Sequence, residues 1–497
     1  MVTILGIDVG TTSLKASLFN EQLKVLTSSR IEYPTRYPAQ GRAEQDPEAW
    51  YRALAKAVRV LLDQSDHSAR QVAGVAIAGM SSLALPVDRQ GRPLMPGMIW
   101  LDRRARVQSD FIRQHHQGRL LATSGNRSDP SNFAPKVMWL RDNEPEIYKQ
   151  ARYFLHCNAY LVHKLTGVFS LDVSQCGLTQ VCDIRTGEYS TELIESYGLE
   201  RDKFPEIYGC NDLVGTVSRN AAVETGLPQG TPVMAGCMDN VAAILGLKLL
   251  NKDQAYISAG TATNIGVVLE EPVFDGRGLI YQHGIQGKWL INGSVDYGSA
   301  GLYWFRNLLE TDFNALGTPE SDSLSGRQPL LFLPYMTAQR APLWNEDTYG
   351  AFIGLTPETD RKQLVKSIMV GAALGARHAY SELVGHLPKH LSLTGGPTAN
   401  ADWVRIFCNA TGSNLVSRSD ADVTCLGAAI LAGVGVSLFP SFEDAMASAP
   451  RGKLYESEPE QTAYYDELYD LYVKTYHNLN WTFQQLNRLR KKYGGDG

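Results

Sequence analysis

Two segments of one type constrain the fold of this chain more than any other feature. Residues 5–15 read LGIDVGTTSLK, and residues 257–264 read ISAGTATN near the start of the second half. In both, apolar residues run into a glycine and hydroxyl residues, which predicts a strand, a tight turn and a second strand. Such turns offer backbone N–H groups and hydroxyls to phosphate oxygens. Two of them facing each other would hold a polyphosphate from both sides, and no P-loop string GxxxxGK[ST] occurs in the chain.

The first of these turns has several groups that suit a nucleotide. The phosphate-binding candidates are Gly10, Thr11, Thr12, Ser13 and Lys15. Asp8 would repel phosphate directly, but it can hold Mg²⁺ through water, so it is the first candidate metal ligand. The alternative is an ordinary hairpin aspartate, and the second segment of the same type favours the nucleotide site over it.

Length and composition predict two domains of an ordinary globular kind. At 497 residues the chain exceeds what one hydrophobic core usually supports. Its 44% hydrophobic and 20% charged residues are typical of soluble proteins. The net charge of −5 and the pI near 6.1 give no reason to expect nucleic acid or an anionic membrane as a partner.

The cysteines and the N-terminus indicate a cytoplasmic protein. The seven cysteines are scattered singly, without CxxC pairs, which is typical of free thiols in a reducing compartment. The start MVTILGID lacks the basic and apolar regions of a signal peptide. The longest apolar stretch, residues 426–439, is shorter than the roughly 20 residues that a membrane-spanning helix needs.

Strand and helix patterns alternate in both halves, which predicts mixed α/β layers. Asp46 and Pro47 predict a helix start, and Trp50, Leu54 and Val58 lie on one face of that helix. Residues 72–78 predict a buried strand, and residues 361–384, 402–411 and 461–492 predict helices. The glycine-rich residues 370–376 indicate close packing, either within one chain or in a homodimer, and both alternatives stay open.

Seven blocks, in order along the chain, carry a resemblance to a known family. They are GIDVGTTSLK from Gly6, KVMWLRDNEPE from Lys136, GCMDNVAA from Gly236, SAGTATN from Ser258, FLPYMTAQRAPLW from Phe332, GAFIGLTPE from Gly350 and TGGPTANADW from Thr394. In these blocks the chain resembles the FGGY carbohydrate kinases, which share a superfamily with the Hsp70 ATPase domain and actin. The resemblance implies two actin-like (ribonuclease H-like) α/β domains, residues 1–246 and 247–497, with mixed sheets flanked by helices. It also implies ATP, Mg²⁺ and a small carbohydrate substrate in the cleft between the domains.

Asp239 is the candidate catalytic residue. Phosphoryl transfer to an alcohol needs a group that accepts the hydroxyl proton, and a carboxylate beside that hydroxyl can do so. Asp239 matches the aspartate that performs this role in the family, and Asn240 matches the neighbouring substrate ligand. A helix N-cap is the structural alternative for Asp239, and both roles are compatible. Asp239 is also a second candidate for the metal.

The resemblance places the remaining nucleotide contacts in the second half. Gly260, Thr261 and Thr263 match the turn that meets the γ-phosphate. Gly395 and Gly396 would let adenosine approach the backbone, and Asn400 offers a donor and an acceptor to an adenine edge.

The acceptor pocket departs from the pattern of the family. Where xylulose kinases have GQMHG, this chain has Ala78-Gly79 followed by Met80, Ser81 and Ser82, and the serine in place of histidine suits a different sugar length or stereochemistry. Trp100, Asp102 and Arg103 lie in a block that members of the family place at the sugar pocket, with a surface salt-bridge pair as the alternative for the two charged residues.

The interpretation is therefore a kinase that phosphorylates a hydroxyl of a small carbohydrate with ATP and Mg²⁺, with xylulose or another ketopentose as the first choice of acceptor. A polyol such as glycerol or erythritol, or a sugar acid such as gluconate, remains an alternative acceptor. A non-catalytic nucleotide-dependent switch or regulator is the alternative from another class.

Overall fold

A computed structural model describes residues 2–64, 72–260, 262–312, 329–418 and 423–493. The chain forms two compact units. The first holds Met1–Asn251, Val268–Leu290 and Asp422–Arg451, and the second holds Lys252–Val267, Ile291–Ala421 and Gly452–Gly497. The first unit thus includes two segments from the second half of the chain, beyond the predicted boundary at residue 246.

Strands and helices alternate along most of the described chain. The strands are β1 (Thr3–Val9), β2 (Ser13–Asn20), β3 (Val25–Glu32), β4 (Glu44–Gln45), β5 (Val72–Gly79), β6 (Leu85–Val87), β7 (Gly97–Met98), β8 (Tyr153–Leu155), β9 (Ser170–Asp172), β10 (Cys182–Asp183), β11 (Glu188–Tyr189), β12 (Glu206–Tyr208), β13 (Leu213–Thr216), β14 (Pro232–Met234), β15 (Cys237–Met238), β16 (Ala255–Ala259), β17 (Thr263–Leu269), β18 (Leu279–Gln282), β19 (Trp289–Val295), β20 (Leu331–Leu333), β21 (Ala351–Ile353), β22 (His390–Gly395), β23 (Asn414–Arg418) and β24 (Lys453–Tyr455). The helices are α1 (Pro47–Gln64), α2 (Arg106–His115), α3 (Gln117–Ser124), α4 (Phe133–Asn143), α5 (Pro145–Gln150), α6 (Cys157–Thr166), α7 (Cys176–Thr179), α8 (Thr191–Ser196), α9 (Arg219–Thr225), α10 (Asp239–Gly246), α11 (Ala300–Leu308), α12 (Arg361–Val384), α13 (Ala401–Thr411), α14 (Val423–Gly435), α15 (Phe442–Ser448) and α16 (Pro459–Tyr493).

The main sheet of the first unit is mixed. Its strands run in the order β13-β14-β5-β1-β2-β3, and β15 also pairs with β5. β1 is antiparallel to β2 and parallel to β5. All seven residues of β1 are buried, which fits a central strand covered on both faces.

The sheet of the second unit repeats this arrangement. β19, β17, β16, β22, β23 and β24 follow one another across it. β16 is antiparallel to β17 and parallel to β22, just as β1 is antiparallel to β2 and parallel to β5. Both units therefore combine a hairpin with a parallel neighbour, as expected for two domains of the same actin-like type.

Helix α1 covers one face of the first sheet. Trp50, Leu54 and Val58 lie on one side of this helix and are at most 1% exposed. Full burial of such a side chain stabilises the fold by roughly 1.5–3 kcal/mol. The helix begins at Pro47, as the sequence predicts.

Helix α14 packs so closely on α10 and β1 that only glycine fits at the contacts. An added Cβ would lie 1.7 Å from the Ala242 carbonyl oxygen at Gly427, and 2.0 Å from the Cys425 carbonyl oxygen at Gly6. α14 lies in the second half of the sequence, yet it belongs to the first unit because of these contacts.

The glycines of α12 make close contacts within the second unit. An added Cβ at Gly371 would lie 2.4 Å from the Phe332 carbonyl oxygen of β20.

In the part of the chain that the structure describes, no helix is both long and apolar enough to cross a membrane. All seven cysteines are described; each is buried, and none forms a disulfide.

Candidate active site

Three strand ends meet at one edge of the first sheet. β1 and β15 both run parallel to β5, and both pair with Ala78, so they lie on opposite sides of β5. Because carboxyl ends of parallel strands meet at the same edge, the turn after β1, the turn after β5 and the start of α10 are neighbours. Strands are about 5 Å apart in a sheet, so β1 and β15 are roughly 10 Å apart.

Asp239 is the first residue of α10. The N-cap residue is Met238, not Asp239 as the structural alternative expected. The backbone N–H of Asn240 donates to Asp239 Oδ1 over 2.6 Å. Burial raises the pKa of Asp239 to about 6, although this hydrogen bond lowers it. The side chain keeps partial exposure, so it is open to a substrate, and its carboxylate is ionised at neutral pH.

A buried polar network lies directly behind Asp239. Ser174 Oγ accepts a hydrogen bond from the Met238 N–H over 2.9 Å and donates to Asp172 Oδ1. The Asn158 side-chain amide donates to Asp172 Oδ2 over 2.9 Å. Burial raises the pKa of Asp172 to about 6. Sequence reasoning missed this network because its members come from separate parts of the chain, and only the fold brings them together.

Asn240 is tied to a residue of β18. Its side-chain Nδ2 donates to the Tyr281 hydroxyl over 2.5 Å. The amide oxygen of a side chain held in this way has a fixed direction, which suits a substrate-binding residue.

Side chains from other parts of the first unit donate hydrogen bonds to the turn after β1 and hold it in place. The Tyr33 hydroxyl donates to the Gly10 carbonyl over 2.5 Å, and Gln45 Nε2 donates to the Thr11 carbonyl over 2.6 Å. The Trp100 indole N–H donates to Thr11 Oγ1 over 3.0 Å. Thr12 is exposed at the tip of the turn.

Asp8 and Lys15 are cross-strand neighbours. They are register partners in the β1–β2 hairpin, so both side chains lie on the same face of the sheet. Asp8 is 9% exposed, and Ser13 is buried. Among the described residues, no group of three or more His, Cys, Asp or Glu side chains is placed to hold a metal ion.

The turn after β5 exposes only one of its three candidate side chains. Met80 is 1% exposed and Ser82 is 7% exposed, whereas Ser81 keeps intermediate exposure. Ser82 has φ of 54°, a left-handed backbone that is uncommon for a residue other than glycine. Ser81 is therefore the residue of this turn that remains open to a ligand.

Asp102 is not the surface residue of the salt-bridge alternative. It is fully buried, and its carboxylate accepts hydrogen bonds from the Ala43 N–H over 2.7 Å and from the Arg104 guanidinium. Arg103 instead forms a two-point ion pair with Asp129, at 3.1 and 3.0 Å. Trp100 is 36% exposed, and the Arg103 side chain is 40% exposed.

The second unit brings its two predicted nucleotide turns to one edge of its sheet. Ala259 at the end of β16 pairs with Gly395 at the end of β22. The hairpin turn closes with a hydrogen bond from the Gly260 N–H to the Ala262 carbonyl over 3.0 Å, and Gly260 is exposed. Thr261 lies outside the described residues.

Two residues of these turns have structural partners that the sequence did not predict. Thr263 is fully buried, and its hydroxyl is 3.2 Å from the Ser299 hydroxyl, so it supports the hairpin from inside. Asn400 caps α13, and its Oδ1 accepts from the N–H groups of Asp402 and Trp403 over 2.9 and 3.0 Å. Its acceptor is used, so only the side-chain N–H₂ can serve a base.

Gly395 and Gly396 are both exposed. Gly395 has φ of 96°, and an added Cβ there would lie 2.3 Å from the Ala259 carbonyl oxygen. A ligand can therefore approach the bare backbone at this turn, and a side chain at Gly395 would not fit.

Comparison with known families decides the class of protein. Residues 3–246 match the N-terminal domain of the FGGY family of carbohydrate kinases, and residues 255–436 match its C-terminal domain. The chain belongs to the FGGY family of carbohydrate kinases. It is thus a sugar kinase.

Relatives of this FGGY kinase differ in their substrates. A xylulose kinase of Lactococcus lactis is 28% identical over 98% of this chain and 99% of its own length. A gluconokinase of Bacillus subtilis is 25% identical over 98% of this chain and 96% of its own. The solved structure of a xylulose kinase from Lactobacillus acidophilus has a TM-score of 0.89 at 21% identity, covering 98% of this chain and 100% of that chain. The last comparison confirms the two-domain α/β fold.

Proposed function

We propose that this FGGY kinase transfers the γ-phosphoryl group of ATP to a hydroxyl of a ketopentose such as xylulose, with Asp239 as general base. The observation that carries this proposal is the convergence of three strand ends of the first unit on a partly exposed carboxylate with a raised pKa.

The pKa of Asp239 suits a base. A general base works best when its pKa lies near the operating pH, because it is then both ionised and able to take a proton. A pKa of about 6 leaves Asp239 mostly ionised at neutral pH and makes it more basic than an ordinary aspartate. The hydroxyl of the acceptor would give its proton to Asp239 as the new O–P bond forms.

The turn after β1 fits the phosphate and metal end of the nucleotide. Its carbonyls bond to Tyr33 and Gln45, so the turn is held in place while the Thr12 side chain stays exposed. Asp8 supplies the hard oxygen that Mg²⁺ prefers, and Lys15 lies on the same face. When bound there, Mg²⁺ would neutralise charge on the phosphate oxygens.

The two turns of the second unit suit phosphate and adenosine. Gly260 is exposed at one turn, and Gly395 and Gly396 are exposed at another on the same sheet edge. Gly395 has no room for a side chain, which keeps the backbone accessible to the adenosine. The side-chain N–H₂ of Asn400 would donate to the base.

The choice of xylulose rests on the xylulose kinase relatives, and gluconate is the second candidate. Ser81 stands where xylulose kinases have a histidine, and a small hydroxyl leaves room for a longer or charged acceptor. The gluconokinase relative, which matches over 98% of this chain, favours gluconate as the alternative.

The test is ADP release with ATP and Mg²⁺ across D-xylulose, D-ribulose, glycerol, erythritol and D-gluconate. We expect strong turnover with one acceptor, D-xylulose first, and its loss in Asp239→Asn. Turnover with D-gluconate alone would show that the acceptor is gluconate and not a ketopentose. Near-normal turnover by Asp239→Asn would refute the general-base role.

A further inference from the structure

Lys136 is a fully buried lysine that the proposed chemistry does not use. It lies in α4, and its side chain is 0% exposed. Its ammonium donates hydrogen bonds to the main-chain carbonyl oxygens of Ser82 over 2.6 Å, Ile99 over 2.7 Å and Met98 over 3.4 Å. Burying a charge is costly unless polar partners surround it, and three carbonyls are such partners.

These carbonyls belong to two segments of the candidate acceptor site. Ser82 ends the turn that carries Ser81, and its φ of 54° is a conformation that persists only where surrounding contacts enforce it. Ile99 precedes Trp100, whose indole N–H donates to Thr11 Oγ1 over 3.0 Å. Lys136 therefore fastens the acceptor turn to the segment that reaches the phosphate turn.

We propose that Lys136 is a positioning residue that sets the spacing between the Ser81 turn and Trp100 and so determines acceptor affinity. It acts through these two segments and does not touch the substrate. This inference rests on the proposed function, because it assumes that the two segments line the acceptor site.

The electrostatic surroundings of Lys136 support a role that changes with pH. Burial lowers the pKa of Lys136 to about 7; the nearby carboxylates of Asp102 and Asp129 raise it, and the guanidinium groups of Arg104 and Arg103 lower it. The neighbouring His156 stays neutral, because burial lowers its pKa to about 3. Below pH 7 the ammonium holds the carbonyls with charge-assisted hydrogen bonds, which are about twice as strong as neutral ones. Above pH 7 the neutral amine has one donor fewer and holds them less firmly.

The chain contains a matched control for a lysine of this kind. Lys203 is 8% exposed, and its ammonium also donates to three carbonyls, those of Tyr148, Ala151 and Lys149, at 3.0, 2.9 and 3.3 Å. None of these three residues belongs to the candidate site. A purely structural role predicts the same effect on acceptor binding from both lysines.

The first test compares Lys136→Met with Lys203→Met in steady-state kinetics with D-xylulose as the acceptor, or with D-gluconate if the wild type turns over only that. We expect Lys136→Met to raise the KM for the acceptor about tenfold or more, since a shift of about 1 Å in a site can cost 100-fold. The KM for ATP should change less than about twofold, and Lys203→Met should change neither KM by more than that. An unchanged acceptor KM in Lys136→Met, or an equal rise in Lys203→Met, would overturn the proposal.

A second test does not depend on Lys136→Met folding. In the wild type, the acceptor KM should rise several-fold between about pH 6.5 and pH 8.5, while the KM for ATP stays level. In Lys136→Arg, whose guanidinium stays charged, the rise should be absent. An acceptor KM that is independent of pH in the wild type, or that rises equally in Lys136→Arg, would contradict the role of Lys136. Wild-type turnover and its loss in Asp239→Asn test the proposed function separately from both outcomes.

Discussion

Replacing Asp239 by asparagine should abolish turnover and, at neutral pH, make the folded protein more stable. Burial raises the pKa of this carboxyl from 3.8 to about 6. In the unfolded chain the group loses its proton near pH 4, whereas in the folded protein it keeps the proton up to about pH 6. The free energy of unfolding therefore falls as pH rises through this window, and the loss is complete above it. Asparagine has the same shape and carries no charge.

The size of the effect follows from the shift in pKa. Each pKa unit corresponds to about 1.4 kcal/mol, so a shift of about 2 units gives a penalty of about 3 kcal/mol for the charged form. Asp239 is partly exposed, and solvent screening reduces this figure. We expect Asp239→Asn to raise the free energy of unfolding by about 1–2 kcal/mol at neutral pH.

The assay is urea unfolding of both proteins without Mg²⁺, at about pH 7.5 and about pH 4.5. Most of the gain should disappear at the lower pH, because wild-type Asp239 is then protonated in the folded state. Asp63→Asn, at an exposed position of α1, is the control and should alter neither stability nor turnover. The burial penalty would be refuted if Asp239→Asn were no more stable than the wild type. It would also be refuted if the gain in the free energy of unfolding were the same at both pH values.

We make three further predictions, for the pH dependence of the wild type and for substitutions at Ser174 and Gly395. The kcat of the wild type should rise with pH through about 6 and level off above it, since Asp239 must be ionised to accept a proton; a kcat that stays level down to about pH 5 would contradict this. Ser174→Ala should lower kcat about tenfold without changing the KM for ATP, and should destabilise the fold by about 1–3 kcal/mol in urea unfolding, because the buried Met238 N–H loses its acceptor; an unchanged kcat would show that the network does not position the base. Gly395→Ala should weaken ATP binding, measured by calorimetry, because its Cβ would lie 2.3 Å from a main-chain oxygen, whereas Gly287→Ala, with φ of 76° and no atom within 4 Å, should leave binding unchanged; equal ATP affinity in both variants would exclude the steric argument.

Local patterns were sufficient to predict the elements that frame the site. Alternation and turn residues predicted both hairpins, and the structure has them as β1–β2 and β16–β17. The helix expected over residues 361–384 has those bounds as α12. These predictions succeed because turn chemistry and hydrophobic periodicity act over a few residues.

The partners of individual polar side chains could not be predicted in this way. Asp102 binds the N–H of Ala43, which lies 59 positions away in the sequence. Thr263 turns inward to Ser299, and Asn400 uses its oxygen for a helix start. In each case a long-range contact or a backbone cap competes with the ligand for the same polar atom, and the sequence pattern does not indicate which of them wins.

The contact between α10 and α14 sets which parts of the chain can be exchanged between relatives. Gly246 and Gly427 each bring one helix against a main-chain oxygen of the other, with room for no side chain. The helix that begins with Asp239 is thus supported by residues 423–435. In a chimera of two relatives joined at residue 246, α10 and α14 would come from different proteins, and their matched glycine contacts would be lost. A chimera that takes α14 from the same relative as the first 246 residues would keep these contacts. Recombination within the family should therefore favour the second kind of exchange.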